Sequence, residues 1–354
     1  MSNPTDGLIQ GLHHITLVTS NQEVNRRFYT EVLGLRRVKY SVNQDDPLHR
    51  HLFYANENAS AGSAITFFEW PDLPHGQIGL GSPHHLAYMV KSVDAIPKWI
   101  SWLKSSGVEV AGPIVRDNLV SIYFRDPDGV NLEITALNDE AVTERYLNET
   151  SLHVNEITSD MRLTTFNHAT PISSDPNLTS AFFDKMIGVK KSLAKPNRDQ
   201  EGTTILSLGN DEKPSFVRYL SSPEVSDGFV GKGNIHHIAL AVEGDEEQVK
   251  ILRRLDDLGI QNSGIIDRFW FHSLYFRDPD GNLLEIATKN PGYSVDESSD
   301  KLGTSLVLPK WLEPRRKEIE TFLKETDSKN TLKWPPSYLK PSKPESLVLG
   351  NRSS

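Results

Sequence analysis

Ser121-Ile-Tyr-Phe-Arg-Asp-Pro-Asp-Gly129 returns 152 residues later as Ser273-Leu-Tyr-Phe-Arg-Asp-Pro-Asp-Gly281. Upstream of each copy, Pro83-His-His-Leu-Ala-Tyr88 matches Ile235-His-His-Ile-Ala-Leu240 at the same offset. A unit of about 55 residues is therefore duplicated with no net insertion. Both copies read alike. An alternating apolar strand opens the unit, Leu86 to Val90 and Ile238 to Val242. An amphipathic helix follows, with Ile96, Trp99, Ile100 and Leu103 on one face of the first and Val249, Leu252, Leu255 and Leu258 on one face of the second. Gly107 and Gly259 stand where a helix is closed by a left-handed residue. Three strands complete the unit, and Asp-Pro-Asp-Gly makes the tight turn between the last two.

Two further units are more diverged. Leu12-His-His-Ile-Thr-Leu-Val-Thr19 parallels Phe166-Asn-His-Ala-Thr-Pro-Ile-Ser173, and Phe28-Tyr-Thr-Glu-Val-Leu-Gly34 parallels Phe182-Phe-Asp-Lys-Met-Ile-Gly188. The expected fold class is α+β. Four βαβββ modules, at 8–72, 80–138, 163–222 and 232–290, pair into two cup-shaped mixed sheets. Each half is read as one domain, 8–138 and 163–290, with a polar linker at 139–162. A C-terminal extension, 291–354, holds a short helix near Pro314 to Leu323 and ends in a Ser/Lys/Pro-rich stretch read as disordered.

Composition removes several classes of function. The 354 residues carry a net charge of -9, with no basic stripe, so nucleic acid is not an expected partner. The longest apolar runs fall far short of the roughly 20 residues that span a bilayer. The first twelve residues lack the layout of a signal peptide. With no cysteine, the chain has no disulfide, thiolate nucleophile or Cys-based zinc site. A cytoplasmic location is expected, any metal must use His and carboxylate, and a homo-oligomer is left open.

Of 12 histidines, six lie in pairs on opening strands: His13 and His14, His84 and His85, His236 and His237. Alternation sends neighbouring side chains to opposite faces, so one of each pair points into the cup. Module 3 keeps only the second, His168, beside Asn167, which makes the second position the inward one. Glu133 and Glu285 each follow the second histidine of their module by 48 residues, in otherwise apolar strands. A buried carboxylate costs several kcal/mol unless paired, and a cation removes that cost. Two imidazoles and a carboxylate with open positions suit Fe(II) or Mn(II). Arg116 and Arg268 recur with Tyr123 and Tyr275 at matching spacing, an anion holder and a hydroxyl donor. The bland alternatives are a histidine satisfied in the sheet, a glutamate on the solvent face, a packed tyrosine and a solvated arginine. Repetition of the whole set weighs against them, although inheritance alone would also preserve the letters in an inactive copy. Spacing does not decide which modules share a cup.

His13-His-Ile-Thr16, His51-Leu-Phe-Tyr54, Ile65-Thr-Phe-Phe-Glu-Trp-Pro71, Asn290-Pro-Gly-Tyr-Ser-Val-Asp-Glu297 and Glu313-Pro-Arg-Arg-Lys-Glu-Ile-Glu320 resemble the ring-cleaving hydroquinone dioxygenases of the vicinal oxygen chelate superfamily, over residues 8–323. The resemblance implies Fe(II) held by His14, His237 and Glu285, with Mn(II) as the other candidate. It implies catalytic or supporting roles for His13, Thr16, His236, Arg268 and Tyr275. It also implies that modules 1 and 4 share a cup, whereas pairing within the second half would give His168, His237 and Glu285. In this family the middle modules usually lose their metal residues. Here His85, Glu133 and His168 persist, which raises a second metal site.

The expected activity is Fe(II)-dependent, extradiol-type opening of a hydroquinone or related phenol by O2. Arg268 would hold the ring oxygen's charge, and Tyr275 or His236 would handle protons. Two other classes fit less of the sequence. A glyoxalase-like isomerase or lyase would need no O2 and a fourth metal ligand. A non-catalytic binder of small aromatics would use Trp70, Trp99, Trp102 and Trp270 as stacking surface, with no use for complete triads.

Overall fold

The computed structural model describes residues 5–116, 118–138, 154–189, 203–208, 215–329 and 332–342. Module 1 comprises β1 (Leu12–Thr19), α1 (Gln22–Arg27), β2 (Arg36–Val42), β3 (Arg50–Ala55) and β4 (Ala64–Glu69). Module 2 comprises β5 (His85–Met89), α2 (Ala95–Ser105), β6 (Ala111–Arg116), β7 (Leu119–Arg125) and β8 (Asn131–Leu137). In module 3, β9 (Phe166–Thr170) and a two-residue β10 (Ile172–Ser173) precede α3 (Pro176–Ile187), β11 (Thr203–Leu208) and β12 (Ser215–Ser221). Module 4 runs β13 (Ile235–Val242), α4 (Asp245–Asp257), β14 (Asn262–Asp267), β15 (Phe271–Arg277) and β16 (Leu283–Pro291). The tail adds α5 (Arg316–Lys329).

The helices start and stop where local chemistry dictates. Asn21 Oδ1 accepts from the backbone N–H groups of Glu23 and Val24, and Asp175 caps α3 with Pro176 in its first turn. Gly107 and Gly259 adopt the expected left-handed conformation after α2 and α4. The apolar face of α2 is as read, with Ile96, Trp99 and Leu103 buried. That of α4 is rotated: Gln248, Ile251 and Leu255 are buried, because Gln248 Nε2 donates to the carbonyls of His272 and Ile286. Among the described residues no helix is long and apolar enough to cross a membrane.

The four modules form two large mixed sheets. One runs β14-β15-β16-β13-β1-β4-β3-β2 and the other β10-β12-β9-β5-β8-β7-β6, with β11 paired to β12. Module 4 thus shares a sheet with module 1, and module 3 with module 2. The halves 8–138 and 163–290 each contribute one module to each sheet, so the pairing that would join His168 to His237 and Glu285 does not occur. Both junctions are antiparallel: β1 lies on β13 with Thr16 opposite His237, and β5 lies on β9 with Thr170 opposite His85. Of the linker, 139–153 lies outside the described residues.

What binds the two sheets to one another is the repeated turn. Asp126 accepts from its own loop, Asp128 N and Val130 N, and from the Tyr29 hydroxyl at 3.1 Å. Asp278 does the same with Asp280 N, Asn282 N and the Tyr219 hydroxyl at 2.6 Å. Each turn therefore ties its module to the neighbouring module of the other sheet. The crossings at 75–80 and 227–232 pair with each other, and at Gly79 a Cβ would meet Gly228 N at 2.6 Å.

The tail covers the β2 edge of the first sheet. Lys39, wholly buried, meets Asp296 Oδ1 and Glu297 Oε2, both at 2.5 Å. Arg50 joins Glu69 at 2.6 Å, Asp327 at 2.7 Å and the Leu323 carbonyl. Leu308, Leu312, Ile319 and Leu323 pack on Val42. The tail helix is longer than expected, and within 332–342 Trp334 lies under Arg27, Tyr338 meets Phe28, and Ser342 accepts from Arg125. The end, 343–354, lies outside the described residues.

Candidate metal centre

Three ligand atoms from the ends of the chain converge at the β1/β13/β16 junction. His14 Nε2 is 3.3 Å and His237 Nε2 is 2.9 Å from Glu285 Oε2, and the two Nε2 atoms are 3.4 Å apart. An ion about 2.1 Å from each of three donors would hold them about 3.0 to 3.4 Å apart, the range from octahedral to tetrahedral. All three side chains are buried. Oε2 of Glu285 is buried with no hydrogen bond directed at it, while Oε1 accepts from Ser273 at 2.5 Å. Burial alone would raise this carboxyl, but the His14 and His237 rings beside it hold it well below the usual range. The donor set fits a divalent cation.

The paired histidines explain how the ligand rings are aimed. His13 Nδ1 lies 2.9 Å from His14 Nδ1, and His236 Nδ1 lies 2.8 Å from His237 Nδ1. Alternation puts the two side chains of a pair on different courses, yet their rings meet edge to face through Nδ1. A ligand ring engaged at Nδ1 keeps Nε2 for the ion. Both flanking rings are sequestered, His13 against Phe271 and His236 against Phe68 and Trp70. Burial, then the adjacent ligand ring, pushes each down to about 3. That placement suits orienting a ligand ring.

A cleft opens over the triad, walled by Phe53, Phe68, Trp270 and Phe271. Arg268 and Tyr275 face it, the guanidinium 5.5 Å from the tyrosine ring. Asp45 of module 1, unnoticed in the sequence, grips Arg268 through both oxygens at 2.9 and 2.8 Å. Burial, then the Glu285 charge, raises the Tyr275 hydroxyl above its ordinary value. His51 also lines the cleft, its Nε2 2.9 Å from Thr66 Oγ1, which meets Thr16 Oγ1 at 2.8 Å. Thr16 thus anchors His51 and does not touch the ligand atoms. Of the four tryptophans read as stacking surface, Trp270 reaches the cleft; Trp99 and Trp102 belong to α2 and donate to the carbonyls of Met161 and Val32. In the other sheet His85, Glu133 and His168 form a second triad.

The model of the Glyoxalase/Bleomycin resistance protein/Dioxygenase superfamily matches residues 11–134 and 165–286, most of both halves. The chain belongs to this superfamily. Its similarity to particular members extends over nearly the full length. It is 33% identical over 316 residues to MhqA of Bacillus subtilis, covering 89% of this chain and 98% of that one. It is 33% identical over 325 residues to MhqO of the same organism, covering 88% and 95%. Both are provisionally named ring-cleaving dioxygenases. A chlorohydroquinone/hydroquinone 1,2-dioxygenase of Sphingobium indicum is 24% identical over 318 residues, covering 88% and 95%. A Bacillus subtilis structure, provisionally assigned as a dioxygenase, superposes with a TM-score of 0.78 at 31% identity, over 91% of this chain and 97% of that one. Glyoxalase I of Zea mays, at 18% identity and a TM-score of 0.57 over 79% and 92%, shares the fold. The superfamily's module is present four times here, and its two junctions carry the two triads.

Proposed function

We propose that the chain is an Fe(II)-dependent dioxygenase that opens the ring of a hydroquinone or related phenol with O2, breaking an extradiol-type bond beside a hydroxyl-bearing carbon. The observation that carries this reading is the His14–His237–Glu285 triad at the floor of an aromatic-walled cleft. The similarity to proteins named ring-cleaving dioxygenases supports it. An iron ion held by the three side chains would couple the electrons of a phenolate to O2; manganese satisfies the same donors.

The chain's own residues supply the rest. Phe68, Trp270 and Phe271 give an aromatic ring a dry face to lie against. Arg268, held rigid by Asp45, keeps a positive charge beside the phenolate oxygen. Tyr275, its hydroxyl kept protonated by burial, donates a hydrogen bond to a substrate oxygen. His51 closes the far wall with Nε2 committed to Thr66. His13 and His236 are positioning residues that fix the rings of His14 and His237.

The test is O2 consumption by the full chain loaded anaerobically with Fe(II), against a panel of alkyl- and chloro-substituted hydroquinones. Uptake should carry both oxygen atoms of labelled O2 into a ring-opened acid and vanish in Glu285→Gln. An iron-loaded protein inert across the panel sinks the proposal. Turnover that continues without O2 reassigns it to the isomerases.

A further inference from the structure

We propose that His85, Glu133 and His168 form a second divalent-cation site, buried and structural, that clamps module 2 to module 3. The triad reproduces the first in the other sheet. His85 Nε2 is 3.0 Å and His168 Nε2 is 3.2 Å from Glu133 Oε2. The two imidazole planes stand 5.5 Å apart at 84°, the same separation and angle as His14 and His237. Each ring is engaged at Nδ1: His85 at 2.7 Å from His84 Nδ1, and His168 at 2.7 Å from Asn167 Oδ1, which accepts. Asn167, where the other modules have histidine, thus still supplies the acceptor that frees Nε2 for a ligand. His168 Nε2 and Glu133 Oε1 are buried with no hydrogen-bond partner. The Thr170 hydroxyl lies 3.2 Å from His85 Nε2. A carboxylate so enclosed is costly without a cation.

What lies over the triad differs from the first centre. Tyr123 and Arg116 repeat the Tyr275–Arg268 pair, with the guanidinium 5.3 Å from the ring, but both are buried where the first pair is partly exposed. On β12, Arg218 stands two residues beyond Phe216, the partner of His168, as Thr66 stands on β4 two residues beyond Ala64, the partner of His14. Arg218 is itself buried, and its charge acts on His85, His168 and Tyr123. In the first centre Thr66 meets His51, which lines the cleft; here an arginine takes that register position. The site is proposed to take an ion alone. The ligands come from β5, β8 and β9, so a bound ion cross-links strands 83 residues apart, His85 to His168, across the junction. The inference does not depend on the activity proposed for the first centre.

The test uses Mn(II) alone on the full chain. Metal analysis of the loaded wild type should give two ions per chain, and one each for Glu133→Gln and Glu285→Gln. On chelation of the wild type, one ion should leave quickly and the second only as the protein unfolds. Saturating Mn(II) at about one hundred times its dissociation constant should raise the melting temperature of Glu285→Gln by roughly 3–5 °C, and that rise should be lost in the double variant. If Glu133→Gln misfolds, the wild-type stoichiometry and the two chelation phases still decide. One ion per wild-type chain overturns the site. Two ions that leave together in one fast phase overturn its structural role.

Discussion

Replacing His13 separates two accounts of the paired histidines. If His13 handles protons in turnover, no amide can stand in for it. If it acts by accepting or sharing a hydrogen at His14 Nδ1, an asparagine should suffice, because Asn167 already does this for His168 at 2.7 Å. The contact in question is 2.9 Å between two buried ring nitrogens. Loss of a partner of this kind costs about 10- to 100-fold in metal affinity, about 1.4 to 2.7 kcal/mol. His13→Ala should therefore weaken Mn(II) binding at the first centre by that factor, and O2 consumption at limiting iron should fall with it. His13→Asn should recover affinity to within about fivefold of wild type. Affinity is read by competition with a chromophoric chelator in a Glu133→Gln background, so that only the first centre reports. Thermal melting of each variant controls for the ring's packing against Phe271. Equal damage from Ala and Asn would refute the hydrogen-bond account. Normal metal binding by His13→Asn with no turnover would assign His13 to proton chemistry.

Arg268→Ala should lower kcat/KM for O2-dependent turnover about 10- to 100-fold, and Arg268→Lys should recover only part, since Asp45 grips a planar fork. Asp296→Asn with Glu297→Gln leaves the buried Lys39 ammonium without a counter-charge and should cost about 3–5 kcal/mol in urea unfolding; Lys39→Met in the same background should restore part of it. Burial, then the Asp128 carboxylate, pushes Asp126 up to about 8 from 3.8. The folded state therefore holds a proton that the unfolded chain has released, so this group's stabilisation is complete below about pH 4 and is lost as pH rises to about 8. Unfolding free energy should fall by up to about 1.4 kcal/mol per pH unit across that window, and Asp126→Asn should remove the slope. A slope unchanged in that variant would show that another group sets it.

The repeat was legible because identical letters at one offset require the same local structure, and period-2 alternation then decided which histidine of each pair faces inward. The buried glutamates stood out because an apolar strand has no other use for a carboxylate. Other parts of the site lay beyond such signals. Asp45 reaches Arg268 from a loop of another module, at a separation of 223 residues. The contact of neighbouring histidines at Nδ1 runs against the simple expectation of opposite faces, and at the β1/β13 junction His13 and His236 are each the extra residue of a β-bulge. The Asp-Pro-Asp-Gly motif reads as a turn, and its second function, holding a tyrosine of the other sheet, needs a partner that sequence periodicity does not name.

Module pairing was illegible for a more basic reason. Backbone hydrogen bonds between β1 and β13, or β5 and β9, use groups that every residue carries, so no side-chain pattern marks them. A histidine opens every module and a glutamate closes two, so either pairing would assemble a triad of the same composition. The folded chain resolves this as a closed circuit. Module 1 joins module 4 through β1 and β13, and module 4 joins module 3 through Asp278 and Tyr219. Module 3 joins module 2 through β9 and β5, and module 2 returns to module 1 through Asp126 and Tyr29. Sheet contacts alternate with turn contacts around this circuit, and each triad sits on a sheet contact. Neither half of the chain holds a whole sheet or a whole ligand set. Both triads therefore depend on strands from opposite halves meeting, and the geometry of their ligand atoms reports directly on the longest-range pairings in the fold.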